Sequence, residues 1–438
     1  MDTHRAVGIL QQLIQFDTTN PPGNEQRCIQ YLHQLLSEAG IPVELYAEDP
    51  ARPNLVARLP GGDAPPLLLF GHVDVVTTEN QQWALPPFEG RIHDGYVWGR
   101  GALDMKSGVA MMAAALLEVH AQVEPLAGDV IFCALADEEA GGKKGAQYLV
   151  NNQPGLFTGV RHAIGEFGGF PLSVGDQRMY LVQTAEKQPC WMEVSLRGPA
   201  GHGARPMRDG AMAELAHVLH CLNTRRLPIH ICETTRQMIE AMAGALPWAK
   251  RQLLKRTLHP RWTDQMLRLM GELGRNLEPL FRNTVNATVV RGGEKANVIP
   301  SEIVLGLDGR LLPGQRPEDL IRELQTLVGR RLETHVLLHD PSDESADSAL
   351  LPLLRDVLRD LEPGAEVAPY LLPGSSDARF FSKLGIQTYG FTPMNLPSDF
   401  NFFDTIHAAD ERIPIECLKF GTEAMLAVLR NYSSMDSV

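Results

Sequence analysis

The chain has 438 residues, 44% hydrophobic and 21% charged, the make-up of a globular protein too long for one core, so two domains are expected. A formal net charge of −13 excludes nucleic acid and an anionic membrane as main partners, because both demand a basic face. Cys28, Cys133, Cys190, Cys221, Cys232 and Cys417 are scattered with no CxxC pair, which argues against a disulfide framework and a cysteine-held metal and points to a reduced, cytoplasmic setting.

The opening MDTHRAVGILQQLIQFDTTNPPGNE places apolar residues at helical spacing and lacks the h-region of a secretory signal. No later stretch is apolar for long enough to span a bilayer. TTNPPGNE reads as a turn-rich loop, and CIQYLHQLLSEAG (28–40) as a second amphipathic helix. PVELYAE, NLVARLP and PLLLFGHVDVV (66–76) read as strands, the last of them buried. A glycine-rich segment, GRIHDGYVWGRGALDMKSG, leads into the nearly all-apolar helix GVAMMAAALLEVHAQ, and VIFCALA (130–136) follows as another buried strand. Strands apolar on both faces and alternating with helices predict the α/β class, with a central, largely parallel sheet flanked by helices.

Near residue 188 the texture changes. WMEVSLRGPAGHGARP alternates like an antiparallel strand with one wet face, and residues 211–223 follow as a helix. Residues 232–281 form a basic, helix-rich stretch, TVNATVVRGGEKANVIPSEIVLGLDGRLLPG reads as two strands around a turn, and RPEDLIRELQTLVGRRL and ETHVLLH close a β-α-β-β-α-β order. From about 345 the α/β texture returns with SALLPLLRDVLRDL, VAPYLLP and DARFFSKLG. The expected organisation is an α/β domain in two parts, 1–187 and 344–438, with an α+β domain inserted over 188–343.

Several positions carry chemistry. VIFCALA runs into Asp137, Glu138 and Glu139, three acids beside buried backbone that lose hydration and repel one another. They fit either a solvated turn, helped by Gly141, Gly142, Lys143 and Lys144, or a cation. His72 and Asp74 stand two apart at the end of a buried strand, where ligand sites of open α/β sheets lie, and the Asp can orient one imidazole nitrogen and leave the other for a metal. Asp104, in GRGALDMKSG, can cap the following helix or bridge two cations. The same segment imitates two nucleotide motifs and satisfies neither: Asp104 replaces the third glycine of GxGxxG, and Arg100 and Met105 replace phosphate-loop glycines. Glu166 in HAIGEFGG and His407 in NFFDTIHAADE complete a set of two histidines and three carboxylates with His72, Asp104 and Glu139, suited to a pair of divalent cations such as zinc. Glu138 is then left beside a ligand and free to act as a base.

These motifs resemble the co-catalytic zinc amidohydrolases and metallopeptidases that include aminoacylase, carboxypeptidase G, carnosinase-type dipeptidases and succinyl-diaminopimelate desuccinylase. GHVDVV, WGRGALDMKSG, ADEEAGG, GEFGG, GPAGHGARP, GEKANVIP, DGR and DTIHAADE occur in the family's order over essentially the whole chain. The resemblance implies a zinc-peptidase-like catalytic domain and an inserted lid and dimerisation domain. It implies that His72 and Glu166 hold one zinc, that Glu139 and His407 hold the other, and that Asp104 bridges them. Asp74 would orient His72, and Glu138 would be the general base toward a water between the metals. His202 would stabilise the oxyanion from a partner subunit of a homodimer, with the alternating strand at 191–197 as the pairing edge. Asn297, Arg310, Gly374 and Ser375 would grip the substrate carboxylate, although without the resemblance an ion pair with Asp308 and a turn are the preferred readings of Arg310 and Asn297. Glu rather than Asp at position 166 resembles the deacylase side of the family, and the insert at 232–281 resembles its carboxypeptidase S and N-acyl-amino-acid hydrolase branch.

The expected function is hydrolysis of the amide bond of an N-acyl amino acid or short peptide with a free carboxylate. Two cations are expected, zinc first, with cobalt or manganese as substitutes. The alternative is a non-catalytic carboxylate-binding protein on the same fold, against which the retention of Glu138 and every ligand speaks. A serine hydrolase lacks support, since no GxSxG elbow is present. Asp137 receives no task beyond supporting its turn.

Overall fold

The structure, a computed structural model, describes residues 4–122, 125–174, 177–341 and 348–432. The chain separates into two compact units, one of Met1–Thr184, Ser345–Tyr370 and Ser376–Val438, the other of Ala185–Glu344 and Leu371–Ser375. The domain boundary expected at 343/344 lies outside the described residues. Gly374 and Ser375, expected in the second part of the α/β domain, group with the inserted unit.

Aliphatic strands buried on both faces build a nine-stranded sheet. Its order is Val43–Tyr46, Asn54–Leu59, Gly128–Leu135, Ala64–His72, His162–Gly165, Gln387–Gly390, Gln177–Glu186 and Glu366–Leu372, with Phe170–Val174 paired to Gln177–Glu186. The central pairings, between Gly128–Leu135, Ala64–His72, His162–Gly165 and Gln387–Gly390, are parallel. Antiparallel pairings flank them, Asn54–Leu59 joining Val43–Tyr46 and Gly128–Leu135 on one side and Gln387–Gly390 meeting Gln177–Glu186 on the other.

Parallel neighbours need a crossover, and the helix Lys106–Gln122 supplies one between Ala64–His72 and Gly128–Leu135. It is buried along almost its whole length against the helices His4–Gln15 and Ile415–Asn431, which explains its lack of a polar stripe. Leu68, Phe70, Ile131 and Cys133 pack with Ala146, Leu149, Phe157 and Phe381, while the intervening Leu67, Leu69 and Phe132 are equally buried. Both faces of the sheet are therefore covered, and the C-terminal strand ends are left for polar work.

In the second unit the strand order is Thr284–Arg291, Glu302–Leu311, Gln188–Arg197 and Glu333–His339, antiparallel throughout. Met192, Val194 and Leu196 face a core shared with Leu305 and Leu307 of the neighbouring strand and with Val218 and Leu324, brought by the helices Ala211–Thr224 and Pro317–Val328. Residues 233–281 hold four short α-helices, Glu233–Gly244, Trp248–Lys255, Thr263–Leu269 and Glu272–Leu277. One expectation needs correction: the strand at 191–197 is no pairing edge, because Glu302–Leu311 and Glu333–His339 occupy both its sides. Its one-faced alternation comes from helices covering one face, and the sheet's outer strands are Thr284–Arg291 and Glu333–His339.

Phe381 is fully buried with its ring centroid 4.7 Å from that of Phe70 and 5.3 Å from that of Phe157. Replacing Phe381 with Ala is expected to destabilise the layer behind the site by about 3–5 kcal/mol, read as an earlier urea transition by fluorescence.

Candidate metal centre and active site

Three neighbouring parallel strands end within two residues of one another, since His72 lies opposite Leu135 and Leu69 opposite Ile164. The chain past each end delivers one piece of the site: His72 from the first, Glu138 and Glu139 from the turn after the second, Glu166 from just after the third. Successive peptide dipoles and open loops make this edge the customary ligand site of such sheets. The loop 99–105 and the segment 406–411 bring Asp104 and His407 to the same place, although 303 positions separate the two residues (407 − 104).

Asp104 is shared between two imidazoles. Its Oδ1 lies 3.1 Å from His72 Nε2 and its Oδ2 lies 3.2 Å from His407 Nε2. Each imidazole also meets its own glutamate, His72 Nε2 at 3.3 Å from Glu166 Oε2 and His407 Nε2 at 3.2 Å from Glu139 Oε1. Glu139 Oε1 and both oxygens of Glu166 are buried with no hydrogen-bond partner, so these approaches are convergence on common points rather than hydrogen bonds. His72, Asp104 and Glu139 form one set of donor atoms close enough for a cation, and His72, Glu138 and Glu166 form another. Histidine nitrogen with carboxylate oxygen, buried and short of positive charge, fits two divalent cations.

The electrostatics of the protein alone express the same deficit. Burial, reinforced by neighbouring acids, raises the Glu166 carboxyl to about 7 and raises Glu139, while burial and the Glu166 charge raise Glu138 well above its usual range. Burial opposes the charged form of Asp104, but His407 and His72 outweigh it and hold that carboxyl low. Contacts with Asp104 and Glu139 push His407 up to about 10. Burial disfavours His72 as a cation, yet Glu166, Asp104 and Asp74 together keep its affinity for a proton high.

Asp74 does more than orient an imidazole. The strand stops at His72, and beyond it Asp74 still reaches back, its carbonyl 3.0 Å and its Oδ1 3.5 Å from His72 Nδ1. Its two oxygens also accept the backbone N–H groups of Glu138 and Glu139, both at 3.1 Å. One buried carboxylate therefore ties the first histidine to the turn that carries Glu138 and Glu139.

Asp137 has a partner for each oxygen. Its Oδ1 accepts from Arg52 Nη1 at 2.8 Å and Asn20 Nδ2 at 3.2 Å, and its Oδ2 accepts from Lys144 N at 3.0 Å. Asn20 Nδ2 also donates to Asp74 at 2.8 Å, and Arg52 is fixed from behind by the fully buried Glu25. This network holds Asp137 at φ 71, a left-handed conformation that turns the chain sharply enough to present both glutamates. Asn20, Glu25 and Arg52 were not singled out from sequence. The turn-rich TTNPPGNE is visible in the sequence, but its partners lie 27 to 117 positions away.

A second missed group is Asp377, buried with neither oxygen hydrogen-bonded and raised by burial to about 8. Gly142, at φ 69, lies so close that a Cβ there would stand 2.5 Å from Asp377 Oδ1, which explains the glycine pair after the acids.

The remaining candidates lie in the second unit. Gly201–His202 pairs with Val298–Ile299, and Gly203 N donates to Asn297 O at 2.9 Å, so His202 and Asn297 share one exposed corner. His202 Nδ1 accepts from Ala204 N at 3.1 Å, leaving Nε2 to carry the ring proton outward. Arg310 engages Asp308 through Nε and Nη2 at 2.8 and 3.2 Å, so the fork expected for a substrate carboxylate is already occupied. Its Nη1 instead donates to Ser375 Oγ at 3.1 Å, which joins Arg310 to the Gly374–Ser375 loop.

Comparison with known proteins agrees with this geometry. Residues 68–431 match the model of peptidase family M20/M25/M40. An N-fatty-acyl-amino acid synthase/hydrolase PM20D1 of Xenopus tropicalis is 27% identical over 384 residues, covering 85% of this chain and 73% of that one. Aminoacylase-1 of Sus scrofa is 24% identical over 410 residues, covering 90% and 88%. Among solved structures, the M20 metallo-carboxypeptidase Sso-CP2 of Sulfolobus solfataricus superposes with a TM-score of 0.70 at 18% identity, over 99% of this chain and 100% of that one. With its ordered motifs, its α/β sheet and a matching stretch that contains every ligand candidate, the chain belongs to peptidase family M20/M25/M40, metal-dependent hydrolases of amide bonds.

Proposed function

We propose that the chain cleaves the amide bond of an N-acyl amino acid, or of a short peptide, whose product amino acid carries a free carboxylate. The observation that carries this reading is the division of Asp104 between His72 and His407, each closed by its own glutamate, with Glu138 beside them as a surplus carboxylate. His72 and Glu166 would hold one cation, Glu139 and His407 the other, and Asp104 both. Mixed nitrogen and oxygen donors favour zinc, with cobalt and manganese able to substitute. Bound there, the cations supply Lewis acidity to the scissile carbonyl and to the attacking water.

Glu138 takes the proton of that water and passes it to the departing amine. Asp74 keeps His72 and the Glu138 backbone in register while this happens. His202 donates its Nε2 proton to the developing oxyanion. Asn297, the Nη1 edge of Arg310, Ser375 and the Gly374 backbone receive the substrate carboxylate. The acyl-amino-acid activities named for the relatives favour N-acyl amino acids over peptides.

We further infer a homodimer in which His202 serves the partner subunit's site, joined through the outer strand Thr284–Arg291 with its exposed Val289 and Val290. A cytoplasmic location is supported by the absence of a disulfide among the six cysteines. No helix among the described residues is long and apolar enough to cross a membrane.

Replacing Glu138 with Gln is expected to lower kcat by about 10²–10⁴-fold while metal analysis still finds two ions per chain. Retention of activity would overturn the assignment of the base. Exhaustive chelation is expected to abolish turnover, and zinc, cobalt or manganese to restore it, across a panel of N-acetyl, N-succinyl and long-chain acyl amino acids with dipeptides alongside. Replacing His202 with Asn is expected to reduce kcat more than it raises KM. Light scattering should find a dimer, and a fully active monomer would remove the trans role of His202.

A further inference from the structure

Two segments far apart in sequence are zipped together beside the site. Arg91–His93 and Tyr96–Trp98 form a hairpin, and Arg412–Pro414 adds to it with Arg412 opposite Trp98. Gly99 N then donates to Glu411 O at 2.9 Å, which continues the zipper toward Asp104 on one segment and His407 on the other.

At its end stands a buried ion pair, Arg100 Nη1 to Glu411 Oε2 at 2.6 Å, with Arg100 1% and Glu411 0% exposed. Glu411 uses both oxygens on the loop of the shared ligand: Oε1 accepts from Leu103 N at 2.7 Å and Asp104 N at 3.2 Å, and Oε2 accepts from Gly101 N at 3.2 Å. Arg100 uses its outer nitrogens on the other ligand's loop, donating to Ala408 O and His407 O, each at 3.2 Å. Gln81 closes the circuit, accepting from Arg100 Nη2 at 2.7 Å and donating to His407 O at 2.8 Å. Trp83 lies 5.2 Å from the guanidinium. The loop it holds is strained, since His407 and Asp410 both adopt left-handed backbone, at φ 61 and φ 60.

None of these side chains faces the donor atoms of the centre, and a buried ion pair is weak evidence for stability in itself. What the pair does is join the backbone of Asp104 to that of His407. The other pair of ligands, His72 and Glu166, stands on adjacent strand ends, and the tie to His72 runs instead through Asp74, Asn20 and the Arg52–Asp137 pair. We propose that Arg100, anchored on Glu411 and assisted by Gln81, is a positioning residue for His407, and sets the affinity of the cation held by His407 and Glu139 separately from that of the cation held by His72 and Glu166. This rests on the ligand assignment made above.

The test is titration of the metal-free full chain with Co²⁺ alone, followed by calorimetry and visible absorption, for wild type, Arg100→Lys, Glu411→Gln and Gln81→Ala. Lysine keeps the charge but cannot reach Glu411, His407 O and Ala408 O together. Glutamine turns an amide N–H₂ toward backbone N–H groups that need an acceptor. Wild type should take two ions. Arg100→Lys should bind the first ion within about threefold of wild type and the second about 10–100-fold more weakly, Gln81→Ala should show the same selectivity with a smaller effect, and Glu411→Gln, which also frees the loop of the shared Asp104, should weaken both ions. Equal weakening of both ions by Arg100→Lys or Gln81→Ala, an unchanged second ion in either, or wild-type binding of both ions by Glu411→Gln would overturn the proposal while leaving the two-metal reading intact. A wild type that binds fewer than two ions would overturn both. Should either ion-pair variant fail to fold by circular dichroism, Gln81→Ala, a half-buried surface change, decides by the same criterion.

Discussion

Everything around the centre answers one constraint: Asp104, Glu138, Glu139 and Glu166 crowd against the buried imidazole of His72 and the half-exposed one of His407, where water screens them poorly. Such a cluster raises its own proton affinities and pushes its members apart, so it persists only if positive charge enters it and its backbone cannot yield. The donor set invites that charge as two cations. The rigidity comes from the end of the parallel sheet, where His72, Glu139 and Glu166 emerge from strands locked in register.

Register alone does not orient side chains, and the protein adds two buried guanidinium devices. Arg52, backed by Glu25, grips Asp137, and through Asn20 and Asp74 that grip extends to His72 and to the N–H groups of both glutamates. Arg100, paired with Glu411, joins the Asp104 loop to the His407 loop. Arginine suits both places, because it stays charged when buried and spreads several donors in one plane. Neither pair requires a stability argument; each specifies a conformation that several weaker turns would leave open.

The second unit obeys different physics. Its sheet is covered by helices on one face, and its strands accordingly alternate, whereas strands of the parallel core are apolar throughout. That contrast in texture is why a change of architecture near residue 188 was readable from the chain. It could not tell which strand lies at the edge. Gln188–Arg197 reads as one-sided whether it is flanked by one neighbour or two, and in the structure it has two. Likewise, the proximity of Asp308 and Arg310 in sequence left open whether the guanidinium meets its neighbour or a ligand, and the structure gives the fork to Asp308 and one nitrogen to Ser375.

The sequence by itself determined the α/β class, and it pointed to the inserted α+β segment and to a set of candidate chemistry-bearing residues, because these depend on local patterns: apolar runs, periodicity, and acids or histidines at strand ends. It named His72, Asp74, Asp104, Glu138, Glu139, Glu166 and His407, and the structure brings all seven to one place. What tertiary structure decided is how they are held. Asp137, left without a task in the opening reading, is the anchor of the turn that carries Glu138 and Glu139, and Glu25, Arg52, Arg100 and Glu411 are its counterparts in the buried network. A charged residue with a buried partner 27, 85 or 311 positions away carries no mark of it in its own neighbourhood. Only folding removes the water that would otherwise make such a pairing indifferent.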